Sequence, residues 1–401
     1  MTTQRIAPAK PRPEVVAIYC PLWHNYDHAS SWKGEGWCEW ELLKAATPRF
    51  PGHYQPYRPT WGCFDESDPR WSAKEISLAA NHGIDVFLVD WYWYSGVKIM
   101  EEALERGLLK ARNRNRVRFA LMWANHSWAD YFPPPFGQKW NSWLPSRHSP
   151  RDWARVMDYC VDHYFRQPNY WRVEDHLFFS LFEPLRLVRE MGGAKAFRKT
   201  LLATQRLLAR NRLPPLHLNA MVWGDHDIDE LREAGYSSTT TYNVTSSGKQ
   251  SDNLTESYED LIGAHGKHWE RMAKSSLPHS PMITMGWDVT PRCETTVPWP
   301  FPPSPLTGRR DYPFGHVVVG NTPDLFEELC RRGLRHCITA ESTPHAVFIN
   351  AWNEWTEGSF LLPEKRYGSR YLEAIRMTFG AGHRKKDRTA KRPGRRANSR
   401  T

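Results

Sequence analysis

Short apolar runs recur along the chain, and each is followed by a longer stretch in which apolar and polar positions alternate with helical spacing. Such short runs, when they are apolar throughout, are typical of strands buried on both faces, as in a parallel sheet. The run at 237–241 is rich in Ser and Thr and is the weakest of the set. The pattern predicts eight strands, at 15–20, 84–90, 117–123, 177–182, 216–222, 237–241, 282–285 and 346–350.

The stretches between these strands have the spacing and the end signals of helices. Gly83 follows the first of them and suits a helix C-terminus, because glycine adopts positive φ at no steric cost. Around the seventh, Thr322 can cap the first turn, Pro323 fits the first helical position and Gly333 follows the end. We therefore predict eight helices, at 71–82, 97–112, 150–166, 185–211, 226–234, 256–273, 323–332 and 367–379.

The eightfold alternation of strand and helix predicts the α/β class and a single (β/α)8 TIM barrel, which a chain of 401 residues can form with long βα loops. An open doubly wound sheet is the alternative. It is disfavoured because no Gly-x-Gly-x-x-Gly follows the first strand and no Walker-type phosphate loop occurs. We expect a flexible N-terminus at 1–13, a catalytic domain at 14–379 and a disordered basic tail at 380–401.

The net charge of +10 is concentrated in the tail, where residues 380–401 contain nine Lys or Arg and one Asp. The rest of the chain is nearly balanced, so a nucleic-acid partner is disfavoured. No apolar run approaches the roughly 20 residues that span a bilayer, and the polar N-terminus has no secretory signal. The seven scattered Cys favour neither a disulfide framework nor a zinc site. These features predict a cytosolic protein without a membrane span, and they leave the oligomeric state open.

The ends of the predicted strands carry aromatic and polar residues that could bind a ligand. The chain contains 20 Trp and 16 Tyr, whose flat faces and polar edges suit sugar rings. At nearly every strand end a Trp or Tyr stands beside a carboxylate, an amide or a His, and long loops at 21–70 and 286–321 follow strands one and seven. In a (β/α)8 barrel these positions meet at the C-terminal face, where active sites lie. Aromatic capping of the barrel mouth is the structural alternative.

Glu354 and Glu357 stand three residues apart at the end of the last strand, flanked by Trp352 and Trp355. On a helical turn, residues i and i+3 share a face, so both carboxyls could point into the mouth of the barrel. Two carboxyls this close cannot both ionise freely, and one pKa should rise. One protonated and one ionised carboxyl are what glycoside hydrolysis uses. The alternative is a helix first turn in which Glu merely complements the dipole.

Other residue combinations are weaker candidates for a metal site. His24 and His28 have metal-ligand spacing with His53 nearby, but no clear third ligand is evident. Asp225 and Asp227 match the short acid-x-acid pattern of nucleotide-sugar transferases that hold a divalent metal. That pair also opens a predicted helix, and N-capping is the simpler interpretation. We expect no metal and no cofactor.

These motifs resemble those of the family 99-like glycoside hydrolases, the relatives of endo-α-mannosidase, which include bacterial WbsX-like proteins found with polysaccharide genes. The most specific is Asn350-Ala-Trp-Asn-Glu-Trp-Thr-Glu-Gly358. The supporting motifs are Ala17-Ile-Tyr-Cys-Pro-Leu-Trp23, Gly34-Glu-Gly-Trp-Cys-Glu-Trp40, Gly52-His-Tyr-Gln-Pro56, Trp91-Tyr-Trp-Tyr94, Leu121-Met-Trp-Ala-Asn125 and Gly286-Trp-Asp-Val-Thr-Pro-Arg292.

The resemblance implies a (β/α)8 fold and retaining cleavage of an internal α-mannoside-like bond in an oligo- or polysaccharide. It implies that Glu354 acts as base on the sugar 2-hydroxyl, whose oxygen attacks the anomeric carbon and forms an epoxide-like intermediate. Glu357 would protonate the leaving oxygen and later activate water. Thr356 stands where endo-mannosidases carry His, a departure that concerns the specificity for mannose more than the reaction class.

The strand ends and the resemblance together predict the residues that line the sugar subsites. The predicted substrate-binding residues are Tyr19, Trp23, His53, Tyr54, Asp90, Trp91, Trp93, Trp123, Asn125, Trp128, Glu183, Trp223, Tyr242, Trp287, Asp288, Arg292, Trp352, Asn353 and Trp355.

Two further functions stay open. One is a glycosyltransferase of polysaccharide biosynthesis, which would need a nucleotide-sugar or metal site near Asp225 and Asp227. The other is a non-catalytic carbohydrate-binding barrel.

Overall fold

A computed structural model describes residues 12–130, 132–245 and 254–380 of the chain. All eight predicted strands form within these ranges. They are β1 (Glu14–Tyr19), β2 (Val86–Tyr94), β3 (Arg118–Trp123), β4 (His176–Leu181), β5 (Leu216–Met221), β6 (Ser238–Thr240), β7 (Met282–Thr284) and β8 (Ala346–Asn350).

The eight strands run parallel in the order β6-β5-β4-β3-β2-β1-β8-β7. Between β6 and the segment that leads into β7, Thr239 makes a parallel bridge to His279. Two backbone hydrogen bonds support that bridge: Thr239 N–H donates to Pro278 at 2.8 Å, and Ser280 N–H donates to Thr239 at 3.0 Å. The sheet is therefore nearly closed, and the predicted (β/α)8 barrel is confirmed.

The core lies inside this barrel and between the barrel and its helices. Every residue of β2 is buried, because one face of the strand points into the barrel and the other packs on helices. The loop at 286–321 has a smaller core of its own, formed by Leu254, Cys293, Val297, Phe301 and Phe314. This packing holds a long loop against the C-terminal face of the barrel.

Ten helices surround the strands in the described part of the chain. The ten helices are α1 (Asp27–Lys33), α2 (Trp40–Ala45), α3 (Pro69–Asn81), α4 (Pro150–His163), α5 (Pro184–Glu190), α6 (Ala194–Arg210), α7 (Ile228–Ala234), α8 (Tyr258–Met272), α9 (Pro323–Thr339) and α10 (Arg370–Phe379). Of these, α1 and α2 lie in the loop after β1, where the sequence predicts no helix.

Three helix predictions need correction. The predicted helix at 97–112 is instead a short strand, Val97–Ile99, followed by a π-helical turn and a 3-10 turn. The predicted helix at 185–211 is interrupted at Gly192 and Gly193 and forms α5 and α6. Helix α9 continues through Gly333, where a Cβ atom would lie 3.0 Å from Ile283. That glycine lets α9 approach the barrel closely, so it is not a stop signal.

The predicted chain ends are described only in part. Arg12, placed by the sequence in the flexible N-terminus, makes two 2.8 Å hydrogen bonds to Asp85. Residues 1–11 and 381–401, which hold the rest of both predicted ends, lie outside the described residues. Within the described ranges, no helix is both long enough and apolar enough to cross a bilayer.

Candidate active site

A cavity of about 720 Å³ opens at the carboxyl ends of the barrel strands. Its walls combine aromatic rings with charged groups. The predicted residues that line it are Asp90, Trp128, Glu183, Trp223, Tyr242, Trp287, Arg292, Glu354 and Glu357. Lining residues outside the predicted set include Tyr92, His126, Phe132, Phe182, Asn243, Arg309, Arg310 and Tyr312.

Glu354 and Glu357 lie at the buried end of this cavity, on the turn that follows β8. The short strand Asn353–Glu354 pairs with Ser359–Phe360, and Trp355–Glu357 forms a 3-10 turn between them. The two Glu side chains are 3% and 5% exposed, and both line the cavity. The turn thus brings both carboxyls into the mouth of the barrel. We call the buried end lined by Asp90, Arg292, Glu354 and Glu357 the cavity floor.

Arg292 links the two carboxyls of the floor. Its Nη1 donates to Glu357 Oε1 at 2.5 Å, and its Nη2 lies 3.1 Å from Glu354 Oε2. Its Nε donates at 2.6 Å to Glu39, which comes from the loop after β1. Tyr312 completes the set, because its hydroxyl accepts from Arg292 Nη1 and donates to Glu357 Oε1 at 2.8 Å. Arg292 therefore holds the carboxyl pair in place, although it was predicted only as a substrate-binding residue.

Burial and mutual repulsion favour protonation of the floor. Burial raises the pKa of Glu354 to about 8, with a further increase from the charge of Glu357, although Arg292 opposes both. Burial likewise raises the pKa of Glu357. Arg292 supplies one positive charge for the three carboxyls of the floor, which cannot offset the burial of Asp90, Glu354 and Glu357 as three ionised groups. The pair keeps a proton at neutral pH, and its two carboxyls titrate together.

Glu357 has one oxygen that is tied to the protein and one that is free. Its Oε1 is bound by Arg292 and Tyr312, whereas its buried Oε2 has no hydrogen-bond partner among the described residues. A buried polar atom without a partner is costly. Because Glu357 lines the cavity, a hydroxyl or glycosidic oxygen of a bound ligand could supply the missing partner.

Asp90 and Cys20 extend the floor toward β1 and β2. The Cys20 thiol hydrogen-bonds Glu354, and the buried Asp90 Oδ1 has no partner among the described residues. Burial, with added repulsion from Glu354 and Glu357, raises the pKa of Asp90 well above its usual range. Ligand atoms of Cys20, Asp90 and Glu354 lie within 4.8 Å of one another, the one such group of metal-binding residue types found in the described ranges.

The metal candidates predicted from spacing are not assembled. His24 hydrogen-bonds Glu66 and Glu102, whereas His53 hydrogen-bonds Asp288 instead. Asp227 precedes α7 with a φ of 60°, but its side chain makes no cap hydrogen bond and accepts from Arg189 at 3.0 Å. The prediction that this Asp caps the helix through its side chain is therefore wrong.

Asp288 and His53 lie behind the cavity lining and not in it. Asp288 Oδ2 is bound by His53 at 2.8 Å, Gln55 at 2.5 Å and Tyr57 at 3.2 Å. Its Oδ1 accepts from the Thr290 hydroxyl at 2.7 Å. Burial alone would raise the pKa of Asp288, but these hydrogen bonds lower it. The carboxylate is already satisfied, so it fastens the first loop to the seventh.

Three other predicted residues belong to a second buried carboxyl cluster. Tyr19 lies 3.2 Å from both Glu66 and Glu75, and Trp352 Nε1 donates to Glu75 at 3.0 Å. Asn353 donates to Glu66 at 3.3 Å. Burial raises the pKa of Glu75 to about 8, with repulsion from Glu66 adding to it. This cluster holds the residues just before the Trp355–Glu357 turn and does not line the cavity.

The remaining predicted residues also lie outside the cavity lining. Side chains alternate along β2, so Asp90 and Tyr92 face the cavity while Trp91 and Trp93 face the helices, where they donate to Tyr164 and Asp152. The other members are held by similar internal contacts. They are Trp23, Tyr54, Trp123, Asn125 and Trp355.

The sequence does not predict Glu39 and Tyr312 as site residues, although Glu39 contacts Arg292 and Tyr312 contacts both Arg292 and Glu357. Glu39 lies within the Gly34–Trp40 motif, where it also accepts a hydrogen bond from Thr356. Tyr312 lies in the loop at 286–321. Both loops were expected to be functional from their length, but loop length does not say which side chain reaches the site.

A (β/α)8 barrel with paired carboxyls in an aromatic cavity has the architecture of glycoside hydrolases. Solved structures share its fold. The GH99 endo-alpha-mannosidase from Bacteroides thetaiotaomicron is 14% identical, covers 92% of this chain and 96% of its own, and has a TM-score of 0.55. A glycoside hydrolase-like protein is also 14% identical, covers 94% and 97%, and has a TM-score of 0.59.

Sequence comparison identifies the family. The model of the family described as Glycosyltransferase WbsX matches residues 15–375, and the chain belongs to this family. The protein WxcX of Xanthomonas campestris pv. campestris is 26% identical over 374 residues, which are 90% of this chain and 49% of WxcX. The chain thus spans about half the length of the curated relatives it matches. The resemblance drawn from the motifs is confirmed.

Proposed function

We propose that the protein is a retaining glycoside hydrolase that cleaves internal α-linked, mannoside-like bonds in a complex or bacterial surface polysaccharide. The observation that carries this proposal is the buried pair Glu354 and Glu357 at the floor of an aromatic cavity. The glycoside-hydrolase-like fold supports it. Aromatic walls formed by residues such as Trp128, Trp223 and Trp287 suit the apolar faces of sugar rings.

The reaction needs one carboxyl that takes a proton and one that gives a proton. Glu354 removes the proton from the sugar 2-hydroxyl, and that oxygen bonds to the anomeric carbon. Glu357 donates its proton to the leaving oxygen as the glycosidic bond breaks. Glu357 then takes a proton from water, and the water oxygen attacks the anomeric carbon. This attack breaks the bond between the anomeric carbon and the 2-oxygen, and Glu354 returns its proton to the 2-oxygen.

The environment of the two groups fits these steps. The raised pKa values keep a proton on the pair at neutral pH, as a general acid requires. The free Oε2 of Glu357 can face the glycosidic oxygen, while Arg292 and Tyr312 hold Oε1. Burial raises the pKa of Glu354 to about 8, so the proposed roles require that substrate binding transfers the proton from Glu354 to Glu357 before the reaction.

The test measures the release of reducing ends from a panel of α-mannans and bacterial surface polysaccharides, without added nucleotide sugar and with a metal chelator present. We expect release by the wild type and a loss of at least 100-fold in Glu357→Gln. Glu233→Gln is the matched control, because Glu233 is exposed on α7 and does not line the cavity. Equal rates in wild type and Glu357→Gln would refute the assignment of the acid.

A second candidate function is a glycosyltransferase, which the description of the WbsX family favours. It predicts saturable binding of a nucleotide sugar and elongation of an acceptor. Calorimetric titration with GDP-mannose and UDP-sugars, with and without Mn²⁺, separates the two functions. A third candidate is a non-catalytic sugar-binding barrel. It predicts that the wild type binds polysaccharide without cleaving it, so Glu357→Gln can change binding but has no turnover to change.

A further inference from the structure

The cavity is lined by two arginines that the proposed reaction does not use. Its floor carries the carboxyls of Asp90, Glu354 and Glu357. Its outer part is lined by Arg309 and Arg310, which come from the loop after β7. We call these two arginines the basic rim. The hydroxyls of a neutral sugar can accept hydrogen bonds from them, but only an anionic group would also neutralise their charge.

The guanidinium groups of the basic rim are available to a ligand. Arg310 Nε donates to the Phe301 carbonyl at 2.7 Å, which fixes its orientation while its two Nη groups remain free. Within the described ranges, neither arginine forms an ion pair with a carboxylate. The neighbouring Asp311 also lines the cavity, but it accepts a 2.5 Å hydrogen bond from Thr307. A guanidinium fork suits two-point binding of a carboxylate.

The basic rim is close in sequence to Tyr312, which contacts Glu357. Tyr312, whose hydroxyl donates to Glu357 at 2.8 Å, is only two residues beyond Arg310. Consecutive Cα atoms are about 3.8 Å apart, so the Cα atoms of Arg310 and Tyr312 are separated by at most about 7.6 Å. Trp287 packs near Tyr312, with ring centroids 6.5 Å apart, and provides an apolar face beside them. The backbone of the rim is therefore close to Tyr312, which contacts Glu357, and both arginines line the same cavity as Glu357.

We propose that the cavity selects an acidic polysaccharide in which a sugar next to the cleaved bond carries a carboxylate, as in a uronic acid, bound by Arg309 and Arg310. The proposal rests on the proposed function for the position of the cleaved bond. In the floor, Arg292 is already bonded to Glu39, Glu354 and Glu357, so the floor offers no free cation to a substrate carboxylate. The anion lies at the rim and the neutral sugar at Glu354 and Glu357.

The experiment measures binding by calorimetry to the full chain carrying Glu357→Gln, which prevents cleavage during the titration. The probes are oligosaccharides from alginate, polygalacturonate and xanthan, each beside its carboxyl-reduced form. A neutral α-mannan and a phosphomannan complete the set. We expect at least one uronate probe to bind, and its affinity to fall about tenfold or more on carboxyl reduction.

Removal of the rim charges should have the same effect as removal of the substrate charge. We expect Arg309→Gln and Arg310→Gln each to weaken the uronate probe severalfold, with no additional effect on its reduced form. Arg206→Gln is the matched control, because Arg206 is exposed on α6 and does not line the cavity. Melting temperatures of all variants distinguish loss of a contact from loss of the fold.

The outcomes separate this proposal from the proposed function. Equal binding of a probe and its reduced form, or no binding of any uronate probe, would overturn the uronate site even if neutral mannan is cleaved. Binding of phosphomannan alone would replace carboxylate by phosphate as the anion and so overturn it too. Arginine-dependent uronate binding without cleavage by the wild type would support the site and refute the hydrolase.

Discussion

Replacement of Arg292 by Met tests whether this guanidinium holds the catalytic carboxyls together. Arg292 is buried and bonded to Glu39, Glu354, Glu357 and Tyr312. Loss of one partner of a buried ion pair costs about 3–5 kcal/mol, because the remaining charges stay buried. With an unfolding entropy of about 2.1 cal/mol/K per residue over 401 residues, the melting temperature should fall by about 4–6 °C.

The pH dependence gives a second measure of the same interaction. Arg292 lowers the pKa of both Glu354 and Glu357, so its removal should raise these values further. A carboxyl with a raised folded-state pKa binds more protons in the folded than in the unfolded state, so its contribution to stability decreases as pH rises. For Glu354 that window runs from its ordinary 4.5 to about 8. Below that value Glu354 is protonated in both folded proteins and their slopes agree, so its contribution to the stability deficit of Arg292→Met should grow with pH only from about pH 8 upward.

Thermal unfolding followed by circular dichroism between pH 5 and 9 measures both effects. Arg292→Lys is the control for charge, since it keeps the cation and loses the planar fork. Combining Arg292→Met with Glu39→Gln should recover part of the lost stability, because one uncompensated carboxylate is removed. An unchanged melting temperature and pH slope in Arg292→Met would refute the reasoning.

Two further predictions concern stability and the shape of the catalytic turn. Burial lowers the pKa of His268 to about 4, so the wild type should lose stability as pH falls from 6.5 to 5. His268→Gln should reduce this loss of unfolding free energy by about 1.4 kcal/mol per pH unit, measured by denaturant unfolding. Equal pH slopes in wild type and variant would contradict this. Gly358 has a φ of 67°, and a Cβ there would lie 2.8 Å from Asp288, so Gly358→Ala should displace Glu357, lower kcat and destabilise the fold. The control is Gly266→Ala on α8, where a Cβ meets no atom within 4 Å; it should stabilise the protein by about 0.5–1 kcal/mol. Similar melting temperatures for Gly358→Ala and Gly266→Ala would show that the turn at Gly358 is not constrained.

The sequence by itself determined the barrel, because hydrophobic periodicity is a local property that follows directly from burial on one or both faces. All eight strands form where apolar runs predict them, even the Ser- and Thr-rich run at β6. The carboxyl pair was visible for the same reason, since three residues of spacing fix the relation between Glu354 and Glu357. The family followed from motifs that are also local in the sequence.

Only the tertiary structure decided which side chains meet at the site. Glu39, Arg292 and Tyr312 come from loops far apart in sequence, and no local pattern records that they converge on the catalytic pair. Trp91 and Trp93 are predicted to bind substrate because they follow the second predicted strand. In the structure that strand continues through both residues, and its alternation turns their side chains away from the cavity. Local spacing sets which face a residue occupies, whereas long-range packing sets what that face meets. The pairing of Glu354 and Glu357 is therefore predictable from the sequence, whereas their partners and their charge balance are not.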